Sequence, residues 1–427
     1  MKYDITKPEA IKKALFTTSA LHFIGKAGGY LKNFAIAAFL GFSYKTDAFF
    51  FAVGIIGIFS IFSNAFDSVG IPYLVKAKQK GIESFQKVTG QLLGIDIVVA
   101  LLVSLLTFLT IPLIVNAGWG FSAETRQMFS QIMWILFPTV GLSFLSHHFS
   151  AVLRAQRLFT IQTIGELINS FTQFVITAGG LFFWRNPLVL AYAILIAQIL
   201  NIIWQLPFVR GHLHVNFHRD EHTRKLIGQF LLFTALYATS SIYAMIDKAF
   251  ASYLEVRSIS ALTYGSLIAM VLIGIIRLDT MFFTAISEKN SMRVIGKFVL
   301  FALAISVPYA LILFAIPEFI VKLILGYGHF GTLDTQLTAL ALRYYALALP
   351  ALYMGGIFNR LLIVKEQYAG MFFLLGLNIF LNVVLNYFFL FHLHMGLRGL
   401  VLSTVIVAYI DLGLRVWLVG RKRKHAK

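Results

Sequence analysis

Long apolar runs separated by short polar connections extend along the whole chain. Each run is at least about 20 residues long, which is the length an α-helix needs to cross the hydrocarbon core of a bilayer. The pattern predicts twelve spans, at residues 14–40, 48–75, 88–115, 128–153, 159–184, 188–208, 226–254, 259–286, 294–325, 337–364, 369–391 and 397–419. Because backbone groups in hydrocarbon must be satisfied internally, we predict an all-α polytopic membrane protein.

The longest polar connection, residues 209–225, divides these spans into two equal sets. It predicts an N-terminal six-helix lobe at 1–208, a basic cytoplasmic linker at 209–225, and a C-terminal six-helix lobe with a basic tail at 226–427. Basic connections recur after the second and eighth spans, which suggests two similar halves around a central cavity. Transporters commonly have this plan, with the substrate site between the halves.

Charge distribution predicts the orientation. The chain has 36 Lys and Arg against 18 Asp and Glu, a formal net charge of +18. With the N-terminus inside, the cytoplasmic segments hold 24 of the basic residues and the outer loops hold 5. This positive-inside bias predicts that both termini are cytoplasmic, and it explains the basic excess without nucleic acid. The first apolar run is too long for a signal peptide, so we expect a retained span.

Charged residues inside the spans are functional hypotheses, since each is costly in hydrocarbon. Lys26 lies midway along the first span, within the sequence GKAGG at 25–29, whose three glycines predict a loosened helix and close backbone approach. A cation beside exposed backbone N–H groups suits a pyrophosphate or carboxylate. The alternative is an interhelical ion pair that only stabilises the bundle. Lys32 lies nearly two turns further along, and Asp47 either acts at the site or caps the second span.

Other charged and histidine residues carry weaker predictions. Asp247, beside Lys248, is either a cation or proton site or part of a structural pair. We leave the remaining intramembrane charges unranked: Asp67, Asp96, Glu166, Arg277, Asp279, Arg343 and Asp411. The histidines at 212, 214, 218 and 222 predict a solvated basic loop, and the chain has no cysteine, so no confident metal site follows.

Three parts of the sequence resemble the MviN/MurJ family of the multidrug/oligosaccharidyl-lipid/polysaccharide exporter superfamily. They are GKAGGYLK at 25–32 with TDAFF at 46–50, IDKAFASYL at 246–254 with SISALTYG at 258–265, and YGHFG at 327–331. The resemblance implies a flippase of the bacterial inner membrane. Such a protein carries an undecaprenyl-pyrophosphate-linked saccharide, lipid II or a related polysaccharide precursor, to the outer leaflet by alternating access.

The resemblance also implies site residues. Substrate-binding residues would be Lys26, Gly28, Gly29, Lys32 and Asp47. A coupling-cation site would comprise Asp247, Asn382, Asn386 and Thr404, and transport would draw on Na⁺, H⁺ or the membrane potential.

Some positions depart from the family pattern. Ser60 and Leu267 stand where the family has arginines, and lysines replace both first-span arginines, so bidentate phosphate geometry is lost.

Two other functions compete with the flippase. A cation-coupled multidrug-type exporter would share the twelve-span plan, but cationic drugs favour acidic cavity residues over Lys26 and Lys32. A membrane enzyme such as a glycan ligase would need a long outer loop, and the sequence has none. We therefore predict a transporter and no enzyme, with no cofactor, a polyprenyl-linked glycolipid and the bilayer as partners, and a monomer as the expected state.

Overall fold

The computed structural model describes residues 11–217, 227–228, 230, 234, 242–243, 245–275, 292–365 and 367–420. These residues form helices joined by short connections, and no strand occurs among them. The predicted all-α fold class is therefore confirmed. Arg277, Asp279, His218 and His222 lie outside the described residues, as do 13 of the 29 residues of the predicted span at 226–254.

Six long helices form the first half of the described chain. They are α1 (Ile11–Leu40), α2 (Tyr44–Lys80), α3 (Ile82–Val115), α4 (Ala123–Ala155), α5 (Phe159–Trp184) and α6 (Leu188–Val209). Gly81 separates α2 from α3 at φ 121°, a conformation that glycine adopts without steric cost. Ser122 caps α4, since its hydroxyl accepts a hydrogen bond from the Thr125 backbone N–H at 3.2 Å.

The second half contains shorter and more interrupted helices. Residues 245–251 are helical and carry Asp247. The later helices are α7 (Ser258–Ile275), α8 (Met292–Ala315), α9 (Pro317–Leu325), α10 (Thr332–Val364), α11 (Tyr368–Tyr387) and α12 (Gly396–Gly420). A π-helical turn, Phe388–His392, follows α11.

One detail of the predicted spans is wrong. The run at 294–325 is not one helix, because α8 ends at Ala315 and Pro317 begins the separate helix α9. Proline favours the first position of a helix, where its missing N–H costs nothing. The basic connection at 76–87 is also helical apart from Gly81, since Lys, Gln and Glu are good helix formers.

Nine of the described helices are long and apolar enough to cross a membrane. They include α3, with a mean hydropathy of 2.8 in its most apolar window, and α8, with 2.5. Large apolar side chains such as Leu101, Leu113 and Phe183 are mostly exposed on these helices, as expected for lipid-facing surfaces. The chain is a multi-pass membrane protein.

The chain divides into two compact units. The first comprises Met1–Gly41 and Ala48–Ser241, and the second comprises Phe42–Asp47 and Ile242–Lys427. The short segment Phe42–Asp47 therefore belongs with the second unit, although its neighbours in sequence belong with the first.

In the first unit, α5 packs against α1 and α6, while α4 packs against α3 and α6. Phe51 lies at the centre of an aromatic group, with its ring centroid 5.2 Å from that of Phe129 and 4.9 Å from that of Phe121. Both arrangements are edge-to-face, which is a favourable geometry for aromatic pairs. These contacts hold α2 against the first turns of α4.

In the second unit, α10 is the central helix and packs against α7, α8 and α12. A Cβ atom added at Gly265 would lie 2.7 Å from the Cβ of Ala341, so α7 and α10 approach closely at this point. Small residues permit such close packing in membranes, where apolar burial alone does not drive helices together. Tyr353, Ile357 and Leu361 of α10 form a buried cluster with Ala302 of α8.

Candidate functional site

Helix α1 carries Lys26 and Lys32, the two predicted substrate-binding lysines. The helix is continuous from Ile11 to Leu40, so the predicted loosening at the glycines does not occur. Its neighbour α5 supports it along this length. The side chain of Lys26 is exposed, about 20 Å along the helix from either end at 1.5 Å per residue. A lysine side chain exposed at this depth is costly in hydrocarbon, which favours a polar environment that could receive an anion.

The two glycines after Lys26 have different surroundings. Gly28 is buried, and a Cβ added there would lie 3.2 Å from a ring carbon of Phe171 on α5. Gly28 therefore allows α1 and α5 to pack closely. Nothing lies within 4 Å of a Cβ added at Gly29, so this position borders open space. Of the two, Gly29 is the one that leaves room for a ligand.

Lys32 begins a chain of polar contacts in the first unit. Its Nζ donates to Oε1 of Gln173 at 2.9 Å. The amide of Gln173 donates to Asn169 Oδ1 at 2.7 Å, and the amide of Asn169 donates to Gln198 Oε1 at 3.3 Å. The chain thus links α1, α5 and α6, and it fixes the position of the Lys32 ammonium.

This chain of contacts ends at a cavity of about 370 Å³ within the first unit. We call it the polar chamber. Its lining comprises Ser146, His147, Ser150 and Arg154 of α4, Glu166, Asn169 and Ser170 of α5, and Gln198 and Asn201 of α6. All nine lining residues have polar side chains.

The Glu166 carboxylate of the polar chamber has several partners. Its Oε1 lies 3.3 Å from the guanidinium of Arg154, and its Oε2 lies 3.1 Å from Nδ1 of His22. The amide of Gln162 also donates to it. The negative charge of Glu166 is therefore balanced at one end of the chamber.

Sequence reasoning did not find the polar chamber. Glu166 is one of the intramembrane charges that the sequence leaves unranked, and Arg154 falls in the short connection between the predicted spans at 128–153 and 159–184. A signal was nevertheless present, because the polar residues recur at helical spacing on three successive spans: 146, 150 and 154; 166, 169, 170 and 173; and 198, 201 and 205. Such spacing places them on one face of each helix.

The predicted cation-site residues meet in the second unit. Oδ1 of Asp247 accepts hydrogen bonds from the amides of Asn382 at 3.1 Å and Asn386 at 2.8 Å. Its Oδ2 accepts from the hydroxyl of Thr404 at 2.7 Å. Ser403 completes the cluster by donating to Asn386 Oδ1. The four predicted residues therefore form one buried polar cluster, although their role as a cation site stays a prediction.

The composition of this cluster favours a monovalent cation or a proton. Asp247 is its single carboxylate, and among the described residues no group of three or more His, Cys, Asp or Glu side chains could hold a metal ion. Asn and Thr oxygens are neutral hard ligands of the kind that Na⁺ accepts. Rotation of the two amides by 180° would direct their oxygens towards a cation, because Asn oxygen and nitrogen positions are exchangeable by that rotation.

The side chain of Asp47 lies at the start of α7. Its Oδ2 accepts from the Arg257 backbone N–H at 2.6 Å, and its Oδ1 accepts from the Ser260 backbone N–H at 2.8 Å and from the Ser260 hydroxyl at 2.5 Å. Asp47 belongs to the second unit, whereas Lys26, Gly28, Gly29 and Lys32 belong to the first. Asp47 therefore caps a helix distant in sequence, and its predicted contact with substrate stays untested.

A second carboxylate, that of Asp334, makes contacts near the start of α7 in the second unit. Asp334, at the start of α10, accepts from the Arg257 guanidinium at 3.0 Å and from the Phe42 backbone N–H at 3.3 Å. Arg257 and the segment Phe42–Asp47 are thus tied to both α7 and α10. These contacts explain why this segment clusters with the second unit.

Comparison with known proteins identifies the family. The family model described as "Lipid II flippase MurJ" matches residues 36–427. A probable lipid II flippase MurJ from Buchnera aphidicola subsp. Acyrthosiphon pisum is 26% identical over 430 residues, covering 93% of this chain and 82% of the relative. One from Aquifex aeolicus is 25% identical over 418 residues, covering 93% and 83%.

Solved structures show the same fold. Lipid II flippase MurJ in an inward closed conformation matches with a TM-score of 0.80 at 21% identity, covering 95% of this chain and 87% of the other. An inward-facing multidrug resistance MATE family transporter of the MOP superfamily matches with a TM-score of 0.76 at 14% identity, covering 97% and 100%. Because the family model matches the chain from the last turn of α1 to residue 427, this chain belongs to the lipid II flippase MurJ family.

Proposed function

We propose that this chain carries lipid II, an undecaprenyl-pyrophosphate-linked saccharide, from the inner to the outer leaflet of a bacterial cytoplasmic membrane. Family membership supports the substrate class. The observation that carries the proposal is the exposed side chain of Lys26 midway along α1, with Lys32 six residues further along the same helix. Two cations at this depth suit the pyrophosphate, the most highly charged group shared by all such lipids.

In the proposed mechanism, Lys26 and Lys32 bind the pyrophosphate while the polyprenyl chain stays in the bilayer. Gly29 leaves room beside Lys26 for the headgroup. Alternating access then exposes the bound headgroup to the outer side. The proposal includes cytoplasmic termini, for which the distribution of Lys and Arg is the support, and a monomer as the working unit.

Net transport of the lipid in one direction requires a source of free energy, because binding of an anion alone favours neither leaflet. We assign coupling to a monovalent cation, Na⁺ or H⁺, at the cluster of Asp247, Asn382, Asn386 and Thr404. The support is one carboxylate surrounded by neutral oxygen-bearing side chains inside the membrane. Intramembrane carboxylates of this kind occur in ion pathways and proton relays.

Complementation of a bacterial strain depleted of its own lipid II flippase tests the function. The wild-type chain should restore growth, and Lys26→Ala should not, at equal membrane abundance. Lys322→Ala is the matched control, because Lys322 lies exposed on the short helix α9. Growth with Lys26→Ala equal to that of wild type would contradict the proposed site, and no growth with any variant or wild type would contradict the function.

A further inference from the structure

A second polar feature of the first unit has the properties of a binding site. We propose that the polar chamber binds the saccharide part of the lipid-linked substrate, separately from the pyrophosphate. This inference rests on the proposed function and deepens it. It assigns a carbohydrate subsite to α4, α5 and α6, whereas the lysines of α1 bind the pyrophosphate.

The chemistry of the lining suits a neutral polar ligand. Asn169, Gln198 and Asn201 carry amides that both donate and accept hydrogen bonds, and Ser146 carries a hydroxyl that does the same. Sugar hydroxyl and acetamido groups require this mixture of donors and acceptors. The chamber's Glu166 faces Arg154 at 3.3 Å, so its charge is compensated and does not repel a substrate that already carries a pyrophosphate.

The location of these residues argues against a purely structural role. Helices can pack in a membrane through apolar and small side chains alone. An interhelical hydrogen bond there stabilises the packing by only about 0.6 kcal/mol on average. Some lining residues contact one another, since Asn201 donates to Ser146 at 3.0 Å and Asn169 donates to Gln198 at 3.3 Å. The nine polar residues nevertheless leave a cavity of about 370 Å³ between the helices, which helix packing alone does not require. A solvated cavity that receives a polar ligand accounts for them.

The size of the chamber matches one part of the headgroup. Its volume of about 370 Å³ lies near the lower end of the usual range for small-molecule pockets, about 300–1,000 Å³. That space suits a sugar unit better than a complete headgroup with its peptide.

The chamber also connects to the proposed pyrophosphate site. In a lipid-linked saccharide the first sugar is bonded directly to the pyrophosphate, so the two subsites must adjoin. Lys32 contacts Gln173 at 2.9 Å, and Gln173 contacts Asn169, which lines the chamber, at 2.7 Å. One intervening amide therefore separates the cation from the chamber wall.

Binding to the purified full-length chain in lipid nanodiscs tests this inference. Two probes are compared: lipid II, and undecaprenyl pyrophosphate, which lacks the sugars. Asn201→Leu and His147→Leu change two lining residues outside the Lys32–Gln173–Asn169–Gln198 chain. Each should weaken lipid II binding by about five- to tenfold, the effect of losing one or two hydrogen bonds. Both variants should bind undecaprenyl pyrophosphate as wild type does. Lys26→Ala should weaken the binding of both probes.

Controls separate this effect from misfolding. Asn116→Leu removes an amide of the same unit that caps the end of α3 outside the chamber, and it should change neither affinity. Ser146→Ala, a smaller change in the chamber wall, should weaken lipid II binding alone if the leucine variants fail to fold.

The outcomes distinguish the two proposals. If wild type binds both probes and the chamber variants bind lipid II equally well, the carbohydrate subsite is wrong and the proposed function stands. Equal weakening of both probes by the chamber variants would also overturn the subsite. If wild type binds neither probe, the proposed function itself fails.

Discussion

Asp47 and Ser260 are 213 positions apart in sequence, yet the carboxylate of Asp47 accepts both the backbone N–H and the hydroxyl of Ser260. The same carboxylate accepts the Arg257 backbone N–H. Three donors at the start of α7 therefore depend on one side chain from α2. The TDAFF sequence at 46–50 includes a residue that caps a helix of the second unit.

Asp47→Ala should destabilise the protein. Loss of the carboxylate removes a helix cap and leaves buried donors without an acceptor, at a cost of about 1–3 kcal/mol. The expected result is a lower midpoint of thermal unfolding in detergent. Asp47→Asn keeps one acceptor oxygen and should lose less. An unchanged midpoint for Asp47→Ala would show that these hydrogen bonds do not stabilise α7.

Asp96 and His148 form a buried hydrogen-bonded pair within the first unit. Oδ2 of Asp96 lies 2.5 Å from Nδ1 of His148, and the two side chains are 3% and 2% exposed. Removing one partner leaves the other buried without its hydrogen bond, which costs about 1–3 kcal/mol. His148→Leu should therefore lower the yield of folded protein and the midpoint of thermal unfolding.

A milder variant provides the comparison for this pair. Asp96→Asn removes the charge but keeps an oxygen that accepts from His148, so its midpoint should lie between those of wild type and His148→Leu. If His148→Leu unfolds at the wild-type temperature, the pair contributes nothing to stability.

Gly28 and Gly29 are adjacent on α1 and should respond differently to leucine. Gly28→Leu places a side chain against the ring of Phe171, and overpacking typically costs about 1–3 kcal/mol. Gly29→Leu enters open space and replaces glycine within a helix, which favours stability by about 0.5–1 kcal/mol. The midpoint of thermal unfolding should fall for Gly28→Leu, and it should stay the same or rise for Gly29→Leu.

The Gly29→Leu variant should lose transport activity without losing stability. A leucine there fills the space beside Lys26 that the proposed headgroup needs, so Gly29→Leu should transport poorly although it folds well. Full transport by Gly29→Leu would contradict a ligand at this position.

Asp247→Asn tests the proposed coupling site. The substitution keeps the shape of the side chain and removes its charge, and hydrogen bonds to charged groups contribute about 1.5–3 kcal/mol. Cation affinity should fall by about tenfold or more, and the dependence of transport on a Na⁺ or pH gradient should disappear. Wild-type transport that is independent of both gradients would rule out this site as the coupling site.

Much of the fold was predictable from sequence. Hydropathy predicted the all-α membrane fold because bilayer thickness fixes the length of each apolar run. The α8–α9 break escaped prediction, since both helices are apolar and only Pro317 marks the boundary. The division into two six-helix lobes with a linker at 209–225 stays a prediction.

The candidate site was predictable only in part. Asp247, Asn382, Asn386 and Thr404 were named from the family resemblance, and the structure brings them within hydrogen-bond distance. The partner of Asp96 was not foreseen, because nothing in a single sequence indicates which residue of α4 faces α3. The polar chamber was missed for the same reason, since it arises from three helices at once.

Movement of lipid II across a membrane by the purified chain is the most direct measurement. Fluorescent lipid II is placed in proteoliposomes, and an impermeant enzyme that cleaves at the pyrophosphate reports how much lipid is accessible from outside. Wild type and Lys322→Ala should make the protected pool accessible over time, whereas Lys26→Ala should leave it protected as in protein-free vesicles. Transfer by Lys26→Ala at the wild-type rate would contradict the binding of pyrophosphate by α1.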